Sequence, residues 1–68
     1  MSDYLVILEP SGTGWGAWSP DLSVYATADT KEATIAQVRD AIAFHIEGLK
    51  EAGEPIPAPT VDTVLVAA

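Results

Sequence analysis

The sequence predicts an α+β fold, a single β-β-β-α-β domain whose sheet is covered on one face by one helix. Three observations predict it. Runs of β-branched and aromatic residues alternate with turn residues, a long stretch with helical periodicity follows, and a valine-rich run comes last. A chain of 68 residues can close only one small hydrophobic core, so we expect residues 1–68 to form one domain.

Three segments ahead of the helix are rich in strand-forming residues and predict strands over residues 4–9, 15–19 and 24–28. Turn-forming residues separate them, so we expect an antiparallel meander. Gly16 interrupts the second segment, which indicates a weak point or a close approach of another group to the backbone. The run over residues 61–66 predicts a fourth strand that rejoins the sheet.

The helix is the strongest periodic signal in the chain. Thr30 is a good N-cap, and Asp29 with Glu32 forms the alternative capping box. Gly53 is a plausible C-cap, and the prolines within residues 54–59 predict an extended segment after it. The apolar stripe recurs at spacings of three and four and consists of Ile35, Val38, Ile42, Ile46 and Leu49, with Ala41 and His45 beside it.

Both faces of the first predicted strand are apolar, and one helix cannot cover both. We expect the uncovered face to carry Tyr4, Val6 and Leu8, and the covered face to carry Leu5 and Ile7. On the helix, Phe44 projects away from the apolar stripe. We therefore expect a homodimer or a dimer of dimers with Val6 or Phe44 in a contact between subunits.

Trp15 and Trp18 lie an odd number of residues apart, so a regular strand places them on opposite sides of the sheet. One can pack beneath the helix, and the other must lie on the open face or near an edge. An exposed tryptophan there fits the core of a dimer or an anchor for a different protein partner, and the sequence favours neither.

Ten acidic and three basic residues give a formal net charge of −7. Such a surface repels phosphate backbones, so we expect no direct nucleic-acid binding and an attraction to basic partners instead. A hydrophobic content of 49% excludes a disordered acidic tail. With no basic leader and no long apolar run, the chain is expected to be cytoplasmic.

Catalysis is not indicated. The sequence has no cysteine, His45 is its only histidine, and Glu9 with Asp21 are too few carboxylates for a two-metal site. We expect Glu9 to end a strand and Asp21 to cap a turn. The glycines of residues 12–14 precede a strand rather than a helix, which indicates a hairpin turn and no phosphate site. We expect no enzymatic activity, no metal and no cofactor.

The order and spacing of five segments resemble the HicB-like antitoxin family of toxin–antitoxin systems: YLVILE (residues 4–9), WGAWSPDL (15–22), ATADT (26–30), AIAFHIEGL (41–49) and GEPIPAP (53–59). The family fold is similar to a truncated ribonuclease-H-like β-β-β-α-β unit. Two departures occur around the third strand: Ser23-Val24 follows Leu22 where the family usually has a Pro-Gly pair, and Ala28 replaces a glycine.

The resemblance implies an antitoxin that binds and neutralises a small, basic, mRNA-cleaving toxin of the HicA type. It also implies an N-terminal HicB-like domain without the C-terminal DNA-binding domain of longer family members. A stand-alone oligomeric module that has lost its toxin partner is the alternative, and a degenerate nuclease is a weaker one. The candidate contact residues for a partner or a second subunit are Tyr4, Val6, Leu8, Trp15, Trp18, Asp21 and Phe44.

Overall fold

The computed structural model describes residues 3–68 as three antiparallel strands followed by one α-helix. The elements are β1 (Ile7–Ser11), β2 (Gly14–Ser19), β3 (Val24–Ala28) and α1 (Lys31–Glu51). The sheet has the order β1-β2-β3, so each strand pairs with its neighbour in the sequence. The α+β class and the meander predicted from the sequence are confirmed.

The first strand begins later than predicted. Ile7 pairs with Trp18 near the end of β2, and the chain turns away soon afterwards at Pro20. Only Ser19 of β2 lies beyond Trp18, so residues 4 and 5 have no β2 residue opposite them, and Val6 forms no pair with it. At its other end β1 runs through Pro10 to Ser11, which pairs with Gly14 across a turn whose Gly12 takes a φ of 59°. Proline is tolerated in β1 because this is an edge strand.

Local signals placed both ends of the helix correctly. The Thr30 side chain accepts a hydrogen bond from the Ala33 amide at 3.1 Å, so Thr30 and not Asp29 is the N-cap. At the other end Gly53 has a φ of 69°, and its amide donates to the Lys50 carbonyl at 3.1 Å. The Glu54 amide donates to the Leu49 carbonyl at 2.9 Å, which completes a Schellman ending.

The core lies between α1 and the part of the sheet formed by β2 and β3. Its buried apolar side chains are Ala17, Leu22 and Val38. Thr34 is also buried, and its hydroxyl donates to the Thr30 carbonyl at 2.7 Å, so the buried hydroxyl has a hydrogen-bond partner within its own helix. The predicted stripe is confirmed, although most of its side chains are half-buried because a three-stranded sheet is narrow.

The predicted fourth strand is wrong. Residues 54–68, called here the C-terminal segment, form neither strand nor helix. The Tyr4 hydroxyl donates to the Pro57 carbonyl at 2.5 Å, and Asp21 binds Thr60. These contacts hold the segment at one end of the sheet, and the strand-forming residues beyond them pair with neither edge. The radius of gyration is accordingly 13.3 Å, against about 11 Å for a compact chain of this length.

Candidate protein-interaction site

The face of the sheet opposite the helix carries a row of three large side chains, one from each strand. Ile7 pairs with Trp18, and Trp18 pairs with Tyr25, so the three side chains lie side by side on the same face. Their exposed fractions are 43% for Ile7, 36% for Trp18 and 57% for Tyr25. We call this row the open-face row. Three adjacent apolar side chains at this exposure form a surface suited to a protein partner.

The strand register corrects the predicted faces of β1. Leu8 pairs with Ala17, which is fully buried on the helix side, so Leu8 lies on the covered face and Ile7 on the open one. Tyr4 and Val6 precede β1, so the alternation of a strand does not assign their faces. The prediction failed because it carried the alternation through residues 4–8 and fixed the covered face without knowing the register.

Gly16 leaves room for the side chain of Tyr25, the most exposed member of the open-face row. A Cβ built on Gly16 would lie 2.7 Å from the Tyr25 hydroxyl oxygen, so the Tyr25 ring extends across β2 over this glycine. The close approach expected at Gly16 is thus confirmed, and the group that approaches is an aromatic side chain. Tyr25 shields the Gly16 backbone while its other side stays open to solvent.

Trp15 lies on the other side of the sheet, as the odd spacing from Trp18 predicts. The Lys31 ammonium is 5.4 Å from the centroid of the Trp15 ring, within the range of a cation–π contact. The Trp15 carbonyl also lies 3.4 Å from the Thr34 hydroxyl. Trp15 therefore joins β2 to the first turn of the helix, while Trp18 remains available to a partner.

A second apolar surface lies where α1 meets the start of β3. It is a shallow groove of about 410 Å³ lined by Val24, Ala41, Phe44, His45, Gly48 and Leu49. Phe44 forms its outer wall and is 83% exposed, which confirms that this side chain points away from the core stripe. We call this surface the Phe44 groove.

Asp21, in the turn between β2 and β3, anchors the C-terminal segment. One carboxylate oxygen accepts from the Thr60 hydroxyl at 2.7 Å and from the Thr60 amide at 3.2 Å. The other accepts from the Val61 amide at 3.4 Å. The Thr60 hydroxyl, together with these amides, holds the pKa of Asp21 below its ordinary value, and the opposing effect of lost hydration does not cancel this.

Acidification should release the C-terminal segment from Asp21. Because the pKa is lowered in the folded chain, the contact contributes fully above the ordinary value of 3.8 and is lost as the pH falls through the folded pKa. The amide shifts of Thr60 and Val61, followed by NMR from pH 6 to pH 2, should show a midpoint below 3.8. In Asp21→Asn this transition should be absent, and a midpoint at or above the ordinary value would contradict the contact.

The remaining chemical candidates stay apart. Glu9 pairs with Gly16 on the open face, whereas Asp21 binds the C-terminal segment and His45 lines the Phe44 groove. Within residues 3–68, no group of three or more His, Cys, Asp or Glu side chains could hold a metal ion. Over the same range, no helix is long and apolar enough to cross a membrane.

The structure divides the predicted contact residues among separate places. Trp18 belongs to the open-face row, Phe44 to its own groove, and Tyr4 and Asp21 to the attachment of the C-terminal segment. Sequence reasoning missed Ile7 and Tyr25 as neighbours of Trp18. Pairing outward from the Gly12 turn would have found Ile7, because a two-residue hairpin fixes the register.

A comparison with protein families finds a match. The family model described as "HicB_like antitoxin of bacterial toxin-antitoxin system" matches residues 4–67, nearly the whole chain. No curated protein and no solved structure matches the chain. The similarity to a truncated ribonuclease-H-like unit therefore stays a prediction.

Proposed function

Because the chain belongs to the HicB-like antitoxin family, we propose that it binds and neutralises a small, basic, mRNA-cleaving toxin of the HicA type. The open-face row is the observation that carries this proposal. Trp18 and Tyr25 are large, rigid and exposed on one face of the sheet, and such aromatic residues supply most of the binding energy in many interfaces. The chain acts here as a ribonuclease inhibitor and catalyses no reaction itself.

The charge of the chain complements that partner. A net charge of −7 on 68 residues attracts a basic protein over a distance of about one Debye length, ~8 Å at physiological salt. Glu9 lies on the same face as the open-face row, so an acidic group accompanies the apolar anchors. Charge then speeds association, and burial of the aromatic side chains slows dissociation. The bound antitoxin covers the RNA-binding surface of the toxin in the cytoplasm.

One observation favours the second candidate, a binding module that has lost its toxin. Ser23 has a φ of 55°, a backbone conformation that suits glycine, at the place where the family usually has a Pro-Gly pair. The turn between β2 and β3 thus holds a serine in a backbone conformation that glycine adopts more readily. A partner contact made through that turn would differ from the one in other family members.

Substitution of Trp18 tests the antitoxin proposal. Trp18→Ala should raise the Kd for the toxin encoded in the neighbouring reading frame at least tenfold, or about 1.4 kcal/mol, because it removes the central side chain of the open-face row. Calorimetric titration measures this, and an RNA-cleavage assay should show weaker inhibition. Ile56→Ala serves as a matched control, because Ile56 is 41% exposed but lies in the C-terminal segment.

Two outcomes would count against the proposal. If the wild-type chain neither binds that toxin nor slows its cleavage of RNA, the module without a toxin becomes the better account. If the toxin binds Trp18→Ala and wild type equally, while thermal melts show both chains folded, a different surface makes the contact.

A further inference from the structure

The isolated chain exposes more surface than a folded protein of its mass normally does. Its accessible surface is 5067 Å² for a mass of 7.1 kDa, whereas a compact monomer of that mass has about 4,100 Å². The excess, about 1,000 Å², is comparable to the ~800 Å² that each partner buries in a standard-size interface. The chain therefore carries the area of one additional interface.

Much of this exposed surface lies beyond the Asp21 contact. The exposed fractions of Val64, Leu65 and Val66 are 79%, 98% and 80%. These residues favour strands, and residues 61–66 contain no proline and one charged residue, Asp62. They form a strand-competent segment that pairs with no strand among residues 3–68, and we call residues 61–66 the free strand segment. Its last three side chains lie largely in solvent, whereas Val61 is 41% exposed.

The attachment of the segment explains why its own sheet leaves it unpaired. Asp21 holds Thr60 and Val61, and Tyr4 holds Pro57, so the chain is fixed just before the free strand segment and at its first residue. Prolines at positions 55, 57 and 59 stiffen the connection from the helix. The segment is thus presented outward at a fixed place.

The two edges of the sheet differ in how well they could accept another strand. The outer edge of β1 carries Glu9 and Pro10, and proline lacks the amide needed for pairing. The sequence of β3 is VYATA, without proline or charge. The Phe44 groove lies beside the start of β3 and offers an apolar surface to the side chains of an added strand. The edge of β3 is therefore the better acceptor.

We propose that the free strand segment of one copy adds to the outer edge of β3 in a second copy, and that two copies exchange their segments reciprocally. Main-chain hydrogen bonds supply the pairing, and alternate side chains such as Val64 and Val66 cover the Phe44 groove. In a two-fold dimer each copy donates its free strand segment and accepts that of the other copy at β3, so neither a segment nor a β3 edge is left unpaired. The exchange requires no toxin.

The mass in solution tests the exchange. Light scattering of the wild-type chain at micromolar concentration should give twice the chain mass. Val64→Pro removes the backbone N–H of residue 64 and restricts its φ, so the segment can no longer pair as a regular strand. The dimer Kd should rise at least 100-fold, and the chain should then have the mass of a monomer. Ala67→Pro, outside residues 61–66, is the matched control and should leave the mass unchanged. A wild-type monomer, or a Val64→Pro chain that remains dimeric, would overturn the proposal.

Hydrogen exchange identifies the acceptor edge. In the wild-type dimer, the outward amides of β3 should exchange at least tenfold more slowly than in Val64→Pro, while β1 amides exchange equally in both. Slower amide exchange at β1 instead would show that the segment pairs with the β1 edge, and the proposed acceptor would be wrong. Slowing at β3 in a chain that scatters as a monomer would mean that the segment folds onto its own sheet, which also overturns it.

Binding of the toxin separates this proposal from the antitoxin function. Val64→Pro should still bind the toxin, because the open-face row lies on the sheet face and not on the β3 edge. Trp18→Ala should still have the mass of a dimer. If Val64→Pro and Trp18→Ala each abolish toxin binding as well as dimerisation, one surface serves the two functions, and the separate exchange proposed here is wrong.

Discussion

Replacing Gly14 by alanine should lower the free energy of unfolding by about 3 kcal/mol. The added Cβ would overlap the Ala28 carbonyl oxygen and lie 3.1 Å from the Asp29 Cα and 3.2 Å from the Ala28 carbonyl carbon. All three are backbone atoms, so no side chain can move aside to make room. The end of β3 would have to separate from β2 where the chain enters the helix.

Gly48→Ala is the matched control for this prediction. Apart from its two chain neighbours and the adjoining helix backbone, no heavy atom lies within 4 Å of a Cβ built on Gly48, and this residue lies within α1. Alanine there should raise stability by about 1 kcal/mol through its helix propensity. Urea unfolding followed by circular dichroism measures both variants. Equal midpoints for the two would show that β2 and β3 are not packed as closely as the structure has them.

Val38→Ala should cost about 2 kcal/mol of stability, the second-largest effect expected. Val38 is 3% exposed and is one of three buried apolar side chains among residues 3–68, so the loss of two methyl groups leaves a cavity between the helix and the sheet. With so small a core, little else compensates. Thermal melts measure the change.

Gln37→Ala controls for the helix itself, since Gln37 is its exposed neighbour on α1. Its melting temperature should stay within a few degrees of wild type. If Val38→Ala melted at the same temperature as Gln37→Ala, the helix face assigned to the core would be wrong.

The features predictable from the sequence are those set by neighbouring residues. Thr30 caps the helix and Gly53 ends it, as expected, because a cap is a contact between residues three to five positions apart. The apolar stripe of α1 was found by its spacing. The predicted stripe does not include Thr34, although this residue lies four positions before Val38, because threonine counts as polar in a hydrophobic pattern. Its side chain can be buried because its hydroxyl donates to the Thr30 carbonyl of the same helix.

The features that were not predictable depend on residues far apart in the chain. The face of Leu8 follows from its pairing with Ala17, which the hydrophobic pattern of β1 alone does not contain. Valine-rich composition predicts that residues 61–66 can form a strand, but not whether an edge is within reach. The contact of Asp21 with Thr60 spans 39 positions, and no local pattern connects the two.

The sequence also predicted only part of the candidate protein-interaction site. The odd spacing of Trp15 and Trp18 placed them correctly on opposite faces, because the alternation of side chains is a local property. Which of them faces outward, and that Ile7 and Tyr25 flank Trp18, required the pairing of all three strands. The groove beside Phe44 required the position of the helix over β3.

The order of the strands also bears on how fast the chain folds. Every strand pairs with the one next to it in the sequence, and the helix packs mainly on β3, which directly precedes it. Within residues 7–51 only short loops have to close, and low contact order of this kind favours fast folding. Residues 7–51 can therefore reach their structure before the last residues contribute. Association of two copies then becomes a later, concentration-dependent step, and its rate can be changed without changing the rate at which each copy folds.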